Sequence, residues 1–512
     1  MTLTRLVALA ALALPASLCA QESSLDAAAR TITEADYMRR VGVMAHDSMQ
    51  GRDTPSPGLE KTAAYIASEF ARVGLRGGAA DGSFVQRYPL RSVVVDRSGS
   101  HLQRGDVRLA FGADALPLLG DVMSGEASAG LVLVSGSGSV QAGLADNALR
   151  GMHAVLVLSR TAGGVDQEVY RTLVALINAG ALSVLVTNPS GDDVWAANAE
   201  SALRSEVARG WVENGRPSRD FLPVLQVRTS SVERLIQGSG LDLASLQARS
   251  SSALRVDRVS GPNLTVALHY SEEEVTAPNV VAILDGSDPS LREEYVVISG
   301  HMDHVGIGAP SESGDSIYNG ADDNASGTAA VIEVAEAMAS LPTAPRRSMM
   351  FLLVSGEEKG LWGSEYFAAN SPVPVDRMVA DLNTDMVGRN WPDTIVAIGK
   401  EHSDLGATLE RVNAAHPELG MTAIDDLWPE ESFYTRSDHY NFARVGVPIL
   451  FFFNGVHEDY HGPDDEPDRI DGEKAARIAR LVFYLGAELA NTTERPEWNP
   501  ESYSRIVGSS FR

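Results

Sequence analysis

From residue 278 onward, short and nearly continuous apolar runs alternate with amphipathic stretches of helical period. The apolar runs predict the strands Val280–Leu284, Tyr295–Ser299, Ser348–Val354, Met378–Asn383, Thr394–Ile398 and Val447–Phe453. The amphipathic stretches predict the helices Ala325–Ser340, Leu361–Asn370, Asp404–His416 and Gly472–Asn491. Apolar strands between helices are typical of α/β proteins. We therefore predict a mixed, largely parallel sheet that is covered by helices.

Two helices are predicted near the N-terminus. The first spans Thr33–Asp47, and the second opens at Ser56-Pro57 and carries apolar residues at helical spacing up to Val73. The loop between them, Gln50–Pro55, contains the pair Gly51-Arg52. These elements place an α-helical segment ahead of the α/β region.

The middle of the chain, residues 110–256, has a different character. Short apolar runs are separated by Gly, Ser and Asn, and two helices are predicted at Val169–Gly180 and Ser230–Gly238. No cluster of metal-binding side chains occurs in this stretch of the sequence. We predict a compact β-rich module, inserted into the α/β domain, that carries no chemistry of its own.

The first twenty residues are typical of an export signal. Arg5 is their one charge, and the apolar run Leu6–Leu18 is too short to span a bilayer. We predict that residues 1–20 are a signal peptide and that the protein is exported, to the periplasm or the medium. Lipid anchoring through Cys19 is the alternative, which the bulky Leu18 before it disfavours. No later apolar stretch reaches about 18 residues, so the sequence predicts no transmembrane segment.

Composition narrows the partners and the chemistry. The 512 residues carry a formal charge of −26, and such an acidic protein repels nucleic acid and anionic membranes. Cys19 is the single cysteine, so a metal ion in the mature chain would have to be bound by His, Asp and Glu. The sequence leaves the oligomeric state open.

Acids and histidines follow the predicted strands where each strand ends. In a parallel sheet these ends meet at one edge, where ligands gather. Carboxylates crowded there would repel one another without a cation, and ligands without sulfur suit a catalytic zinc ion. The residues concerned are His301, Asp303, Asp322, Asp323, Glu357, Glu358, Asp385, His457 and His461.

The segment His457–His461 matches the H-E-x-x-H pattern, whose chemistry requires both histidines on one face of a helix. Gly455 precedes the segment and Gly462-Pro463 follows it, so no stable helix fits. We therefore reject a zincin site, keep His461 as a candidate ligand and interpret His457 as structural.

Together these segments resemble metallopeptidase family 28, the di-zinc exopeptidases that include leucyl aminopeptidases and glutamate carboxypeptidase II. The resemblance implies a peptidase domain formed by residues 27–109 and 275–495, followed by a tail at 496–512. It also implies that the module at 110–256 is a protease-associated domain. The segments that carry it are Gly300–Asp303, Gly320–Gly327, Gly356–Leu361, Asn383–Asp385, Ser437–His439 and Tyr460-His461.

The resemblance implies two zinc ions per chain and peptides as substrates. His301 and Asp385 would hold one ion, Glu358 and His461 the other, and Asp322 would bridge both. The Asp322–Asp323 peptide would be cis, as in this family. Asp303 would orient His301, Glu357 would be the general base, and Tyr460 would polarise the scissile carbonyl.

Three alternatives remain beside an aminopeptidase. Glutaminyl cyclase shares the fold but uses one zinc ion, and a non-catalytic relative such as the transferrin receptor has lost ligands that this chain retains. A carboxypeptidase or dipeptidase would need Arg389 or Arg436 to bind a substrate carboxylate. Acids in the two site-flanking loops favour an ammonium group instead: Asp425, Asp426, Glu430, Glu431, Glu458 and Asp459.

Overall fold

The chain folds into two compact units. A computed structural model describes residues 24–119, 124–135, 148–158, 167–211, 223–248, 254–311 and 313–507. The first unit contains the chain up to Tyr88 and from Thr276 onward, and the second contains Pro89–Val275. The predicted signal peptide, residues 1–20 with Cys19, lies outside the described residues.

The first unit is built on one sheet. Its strands are β1 (Arg76–Gly77), β2 (Val85–Val95), β3 (Tyr270–Leu284), β4 (Tyr295–His301), β5 (Ser348–Val354), β6 (Met378–Asp385), β7 (Thr394–Ile398), β8 (Thr422–Ile424) and β9 (Ile449–Phe453). Strands β2 and β3 contain the points where the chain passes between the two units. The central order is β8-β7-β9-β6-β4-β5-β3.

Strand direction explains where polar side chains collect. Strands β5, β4, β6 and β9 are consecutive neighbours and all run parallel, whereas β3 and β7 join this group antiparallel. Every residue of β4, β5, β6 and β9 is buried, as expected for strands covered on both faces. Their four carboxyl ends therefore lie along one edge of the sheet. This mixed, largely parallel architecture confirms the predicted fold class.

Helices cover the sheet of the first unit. They are α1 (Glu34–Met44), α2 (Pro57–Arg72), α3 (Gly327–Ala339), α4 (Trp362–Ala369), α5 (Leu405–Ala415), α6 (His439–Arg444), α7 (Gly472–Asn491) and α8 (Pro500–Ile506). Helices α3 and α7 pack on each other and on β4, and Ala, Val and Ile side chains of α3 are buried in that contact. On α4 and α6, Phe367 and Phe442 join the core at 6.1 Å between ring centroids. The predicted helices and strands of this unit recur at nearly the predicted bounds, except that β3 begins at Tyr270 and not at Val280.

Two helices of the first unit, α6 and α8, were not predicted from the sequence. Helix α6 follows Asp438 directly and was too short to give a periodic pattern. Helix α8 occupies part of the predicted tail, where Asn499 caps it by accepting hydrogen bonds from the amides of Glu501 and Ser502. Ser502 also contacts His402, at 3.1 Å, so this segment belongs to the packed unit.

The second unit is a β-rich module with helices, and it is wider than the predicted 110–256. Strands at His101–Arg104, Val107–Ala110 and Leu264–Leu268 pair with one another, and the last of them pairs with Gly125–Ser135 in the centre of the module. Its helices are Gln167–Asn178, Asp192–Ala202, Thr229–Ile236 and Leu243–Gln247, two of which coincide with predicted ones. The flanking strands that extend this unit beyond residues 110–256 are short and lie outside the composition change. Within the described residues of both units, no helix is long and apolar enough to cross a membrane.

Candidate metal centre

The carboxyl edge of the sheet brings the polar residues of five segments together. Strand β4 ends at His301 and β6 ends at Asp385, while Glu358 follows β5 and His461 follows β9. The fifth segment is the turn that leads into α3, which contributes Asp323. Imidazole and carboxylate groups from these segments form two clusters that could each hold a metal ion.

The first cluster consists of His301, Asp323 and Asp385. His301 Nε2 lies 3.4 Å from Asp323 Oδ1 and 3.4 Å from Asp385 Oδ1. All three residues are buried, and Asp385 Oδ1 has no hydrogen-bond partner among the described residues. A buried carboxylate oxygen without a donor is costly, so this oxygen is suited to a cation.

The second cluster consists of His304, Asp323, Glu358 and His461. His461 Nε2 lies 3.0 Å from Asp323 Oδ2 and 3.2 Å from Glu358 Oε2. His304 Nδ1 lies 3.0 Å from Glu358 Oε1. The two carboxylate oxygens of Asp323 thus face different clusters, which is the arrangement that a shared carboxylate needs.

The structure brings Asp323 into both clusters, and not its neighbour Asp322, which the sequence had indicated as the shared residue. The Asp322 carboxylate points away from both clusters, where its Oδ1 accepts hydrogen bonds from Gly388 N at 2.7 Å and Ser326 Oγ at 2.9 Å. The cis peptide is likewise Asp323–Asn324 and not Asp322–Asp323. The turn continues into α3 with a backbone that is not helical at Asp323, so helical spacing did not reveal which acid faces the clusters.

Sequence reasoning missed His304. It directly follows Asp303 and is fully buried, with its ring 5.5 Å from that of His461. The signal was present in the sequence, since a second histidine stands three residues after His301 at the same strand end.

Asp303 lies beside the first cluster and contacts the segments that carry its residues. Its Oδ1 lies 3.7 Å from His301 Nδ1 and accepts a hydrogen bond from Glu357 N at 3.3 Å. Its Oδ2 accepts a hydrogen bond from Gly356 N at 2.7 Å. The buried carboxylate therefore joins the histidine to the turn that carries Glu357 and Glu358.

A pocket opens beside the clusters. One part of its wall is polar, and the other is apolar and aromatic. The ring of Tyr460 stacks on that of His461 with 3.9 Å between centroids. The wall is formed by His301, Asp323, Glu357, Asp385, Met386, Phe433, Arg436, Ser437, Phe451, Phe453, Val456 and Tyr460.

The electrostatics of the clusters favour cations. Burial disfavours a charged His461, but its contacts with Asp323 and Glu358 outweigh burial and raise its pKa to about 10. Burial likewise opposes protonation of His301, but Asp385 and Glu357 raise its pKa well above the ordinary value. Burial raises the pKa of Glu357 well above the usual range for a carboxyl. A site that attracts protons this strongly also attracts metal ions.

The donor atoms of the two clusters are of the types that bind metal ions such as zinc. All seven donor positions are imidazole nitrogens or carboxylate oxygens, and His461 Nε2 lacks a hydrogen-bond partner among the described residues, as does Asp385 Oδ1. His457 is absent from both clusters and lies 3.4 Å from Asp322 Oδ2 through its Nε2. Residues 457–461 form no helix, which confirms that the H-E-x-x-H match is not a zincin site.

Several charges near the pocket are paired with one another. Asp425 pairs with Lys400 at 2.6 Å, and Asp459 pairs with Arg389 at 2.8 Å. Arg389 is therefore engaged, and the pocket's own carboxylates are better placed to meet a charged substrate than these loop acids.

Comparisons with known proteins identify relatives of the region that contains this site. The sequence model described as peptidase family M28 matches residues 279–486, which include all residues of both clusters. A probable leucine aminopeptidase from Arthroderma benhamiae is 27% identical over 263 residues, covering 50% of this chain and 68% of the relative.

Solved structures show the same fold. An aminopeptidase from Aneurinibacillus sp. strain AM-1 matches with a TM-score of 0.51 and 19% identity, covering 91% of this chain and 96% of the other. A zinc aminopeptidase from Bacillus subtilis matches with a TM-score of 0.50 and 16% identity, covering 90% and 96%. At these identities the likeness concerns the fold, and the site geometry carries the functional argument.

Proposed function

We propose that this chain, whose residues 279–486 match the model of peptidase family M28, is a zinc-dependent aminopeptidase that removes N-terminal residues from peptides. One observation carries the proposal. Two metal-compatible clusters share the Asp323 carboxylate, and the pocket lined by His301, Asp323 and Asp385 also contains Glu357. This is a geometry for hydrolysis assisted by two metal ions.

Two zinc ions would be held by these clusters. His301 and Asp385 would bind one ion, Glu358 and His461 would bind the other, and Asp323 would contact both. His304 donates toward Glu358 Oε1 and would orient that ligand. Zinc bound here would supply Lewis-acid polarisation and an acidic water molecule.

The chain's own groups would move the proton and orient the carbonyl. Glu357 lines the pocket, from where its carboxylate would accept a proton from the attacking water and pass it to the leaving amine. Asp303 fixes the Glu357 backbone through the 3.3 Å hydrogen bond. Tyr460 also lines the pocket, and burial raises the pKa of its hydroxyl, which keeps it protonated as a hydrogen-bond donor to the scissile carbonyl.

The pocket wall indicates the substrate class. Met386, Phe433, Phe451, Phe453 and Val456 provide an apolar wall for one side chain. The adjacent carboxylates favour an ammonium group over a carboxylate. We therefore propose peptides with a free N-terminus and an apolar first residue as substrates.

Three forms of one dipeptide, such as Leu-Ala, test this polarity. The free dipeptide and its C-terminal amide should be cleaved, whereas the N-acetyl form should resist cleavage. Wild-type protein treated with a chelator should lose activity and regain it when two equivalents of zinc are added. Cleavage of the acetylated form together with resistance of the amide would reverse the polarity.

Arg436 favours a second candidate function, a dipeptidase. It lines the pocket, its guanidinium lies 4.7 Å from the Phe433 ring centroid, and its contacts with Glu431 are long, at 3.4 and 3.5 Å. Arg436 could therefore meet the C-terminal carboxylate of a dipeptide. For a dipeptidase, Arg436→Gln should raise KM for the free dipeptide at least tenfold and leave KM for its amide unchanged. Arg411→Gln is the control, since Arg411 pairs with Glu488 at 3.3 Å and does not line the pocket.

Two further features are proposed from the sequence. Residues 1–20 would direct export, so the substrates would be extracytoplasmic peptides. The second unit would be a protease-associated domain. Metal analysis of a variant altered only in the second unit tests its non-catalytic role: zinc content should be unchanged.

A further inference from the structure

We propose that the loop Gly51–Thr54, named here the anchor loop, is a positioning element of the metal centre and holds three ligand-bearing segments in register. The inference rests on the proposed function. The anchor loop lies far outside residues 279–486, the region that matches the family. It belongs to the first unit, as do all of the segments that it contacts.

Arg52 joins two of these segments through its guanidinium. The side chain is fully buried, and its Nε donates to Met302 O at 2.9 Å, between His301 and Asp303. Its two terminal nitrogens donate to Asn319 O at 2.6 Å and Gly320 O at 2.9 Å, at the start of the turn that carries Asp323. A rigid, planar fork is needed to reach these carbonyls together, and a lysine ammonium could not reproduce it.

Thr54 joins the third segment. Its Oγ1 donates to Asp303 Oδ2 at 2.9 Å and accepts a hydrogen bond from Gly356 N at 3.0 Å. Gly356 directly precedes Glu357 and Glu358. The hydroxyl thus completes a small network that connects the His301 segment to the turn with the proposed base.

The backbone of the anchor loop is fitted closely to the same segments. Gly51 O accepts a hydrogen bond from Gly306 N at 3.0 Å, and Arg52 O accepts one from His304 N at 3.3 Å. Gly51 has a φ of +64°, and a Cβ at this position would collide with the carbonyl oxygens of Gly306 and Tyr318. Arg52 itself has a φ of +55°. A left-handed backbone at a non-glycine residue persists only where the surroundings fix it, which indicates positional precision here.

The charge of Arg52 fits this place. Burial lowers its pKa to about 10, while the carboxylates of Asp323, Asp465, Asp303 and Glu358 oppose that effect. The guanidinium therefore stays charged at neutral pH and offsets part of the repulsion among these acids. The anchor loop contributes both hydrogen bonds and charge to the metal centre.

Arg347 provides a matched control. It is equally buried, donates to Leu489 O at 2.9 Å and pairs with Glu294 at 2.7 Å. It precedes the amino end of β5, at the sheet edge opposite the clusters. Arg347→Lys should therefore destabilise the first unit without altering the metal centre.

The test compares Arg52→Lys with Arg347→Lys in the full chain. Zinc affinity is measured by competition with a chromophoric chelator, kcat and KM with an aminoacyl anilide, and the melting temperature without metal. Arg52→Lys should weaken zinc binding about 10- to 100-fold and lower kcat more than it raises KM. Arg347→Lys should leave zinc affinity within twofold of wild type. If the two variants bind zinc equally well, whether at wild-type affinity or with the same loss of affinity, the proposal is overturned.

Thr54→Val and Thr54→Ser repeat the test without a charge change. Val removes the hydroxyl at nearly equal size and should weaken zinc binding, whereas Ser should restore it. If Arg52→Lys does not fold, this pair decides the outcome, and equal zinc affinity of Val and Ser variants would refute the anchor loop's role.

Hydrogen exchange of metal-free protein separates this inference from the proposed function. Arg52→Lys should speed exchange in residues 301–306 and 319–324 more than Arg347→Lys does, whether or not the protein cleaves peptides. Absence of peptidase activity in wild type with normal zinc binding would refute the proposed function alone. Unchanged exchange in both segments would refute the anchoring.

Discussion

The two adjacent acids Asp322 and Asp323 offer the sharpest test of the metal centre. Asp323 directs one carboxylate oxygen to each cluster, 3.4 Å from His301 Nε2 and 3.0 Å from His461 Nε2. Asp322 is fully buried and instead accepts hydrogen bonds from Gly388 N and Ser326 Oγ. Asp323→Asn and Asp322→Asn make the same small chemical change one residue apart. Because, of the two, only the Asp323 carboxylate faces the clusters, the first variant should lose zinc affinity and the second should lose stability.

The magnitudes follow from these contacts. Zinc sites with four ligands bind with about 10–16 kcal/mol, so one ligand contributes ~3 kcal/mol, or about 100-fold in affinity. Because Asp323 is shared, Asp323→Asn should weaken the binding of both zinc ions by about that factor. Asp322→Asn weakens charge-assisted hydrogen bonds, each of which contributes ~1.5–3 kcal/mol, and should lower the melting temperature by about 4–8 °C. Its zinc affinity should stay within a few-fold of wild type.

Chelator competition measures the affinities, and thermal unfolding with and without zinc measures the coupling to stability. Zinc should raise the melting temperature of wild type and of Asp322→Asn, because it binds the folded state. It should give little increase for Asp323→Asn at the same concentration. The opposite pattern, with zinc lost in Asp322→Asn and kept in Asp323→Asn, would show that the bridging residue is Asp322 and would refute the assignment made here.

Three other changes test the site and the second unit. Glu357→Gln should lower kcat by about 10²- to 10⁴-fold while zinc content is retained, and a loss below tenfold would exclude it as the base. His461→Ala should release zinc, whereas His457→Ala should retain it, as measured by metal analysis after gel filtration. His153 is buried in the second unit, and burial lowers its pKa to about 4 from 6.5, so the unfolded state binds the extra proton. Its contribution to stability should be present above pH 6.5 and fall by up to about 3 kcal/mol as the pH drops toward 4, and His153→Gln should flatten this dependence in urea unfolding. Parallel wild-type and variant curves would contradict the assignment to His153.

The parallel core and its polar edge could be predicted because each signal is local. Strands such as Ser348–Val354 are continuous apolar runs, and their bounds in the structure match the prediction. Residues that follow such strands, such as His301 and Glu358, meet at one edge by the geometry of parallel strands alone. The topology of the sheet brings these residues together, so their positions after the predicted strands were sufficient to predict the site.

Other features depend on contacts between distant segments and leave no local signal. The direction of the Asp322 and Asp323 side chains depends on the non-helical turn between Gly320 and α3. The outer strands of the second unit, such as His101–Arg104, are four residues long and become recognisable through pairing with Leu264–Leu268. The anchor loop was visible as the pair Gly51-Arg52, but its contacts with residues 302–320 could not be read from the sequence.

Asp322 was predicted as the shared residue, but its contacts indicate a structural role. The carboxylates of two consecutive acids in this turn cannot both face the clusters. One faces them, and the other is held by hydrogen bonds elsewhere. Asp322 is fastened through its side chain, and Asp465 accepts hydrogen bonds from the amides of Asp322 and Asp323 at 3.0 Å each. Burial raises the pKa of Asp465 to about 6. Arg52 holds the preceding Gly320 carbonyl from the other side. The rotation that aims Asp323 is therefore set by three buried charged residues outside the candidate ligand set, which is why the identity of the bridging acid is a tertiary property of this chain.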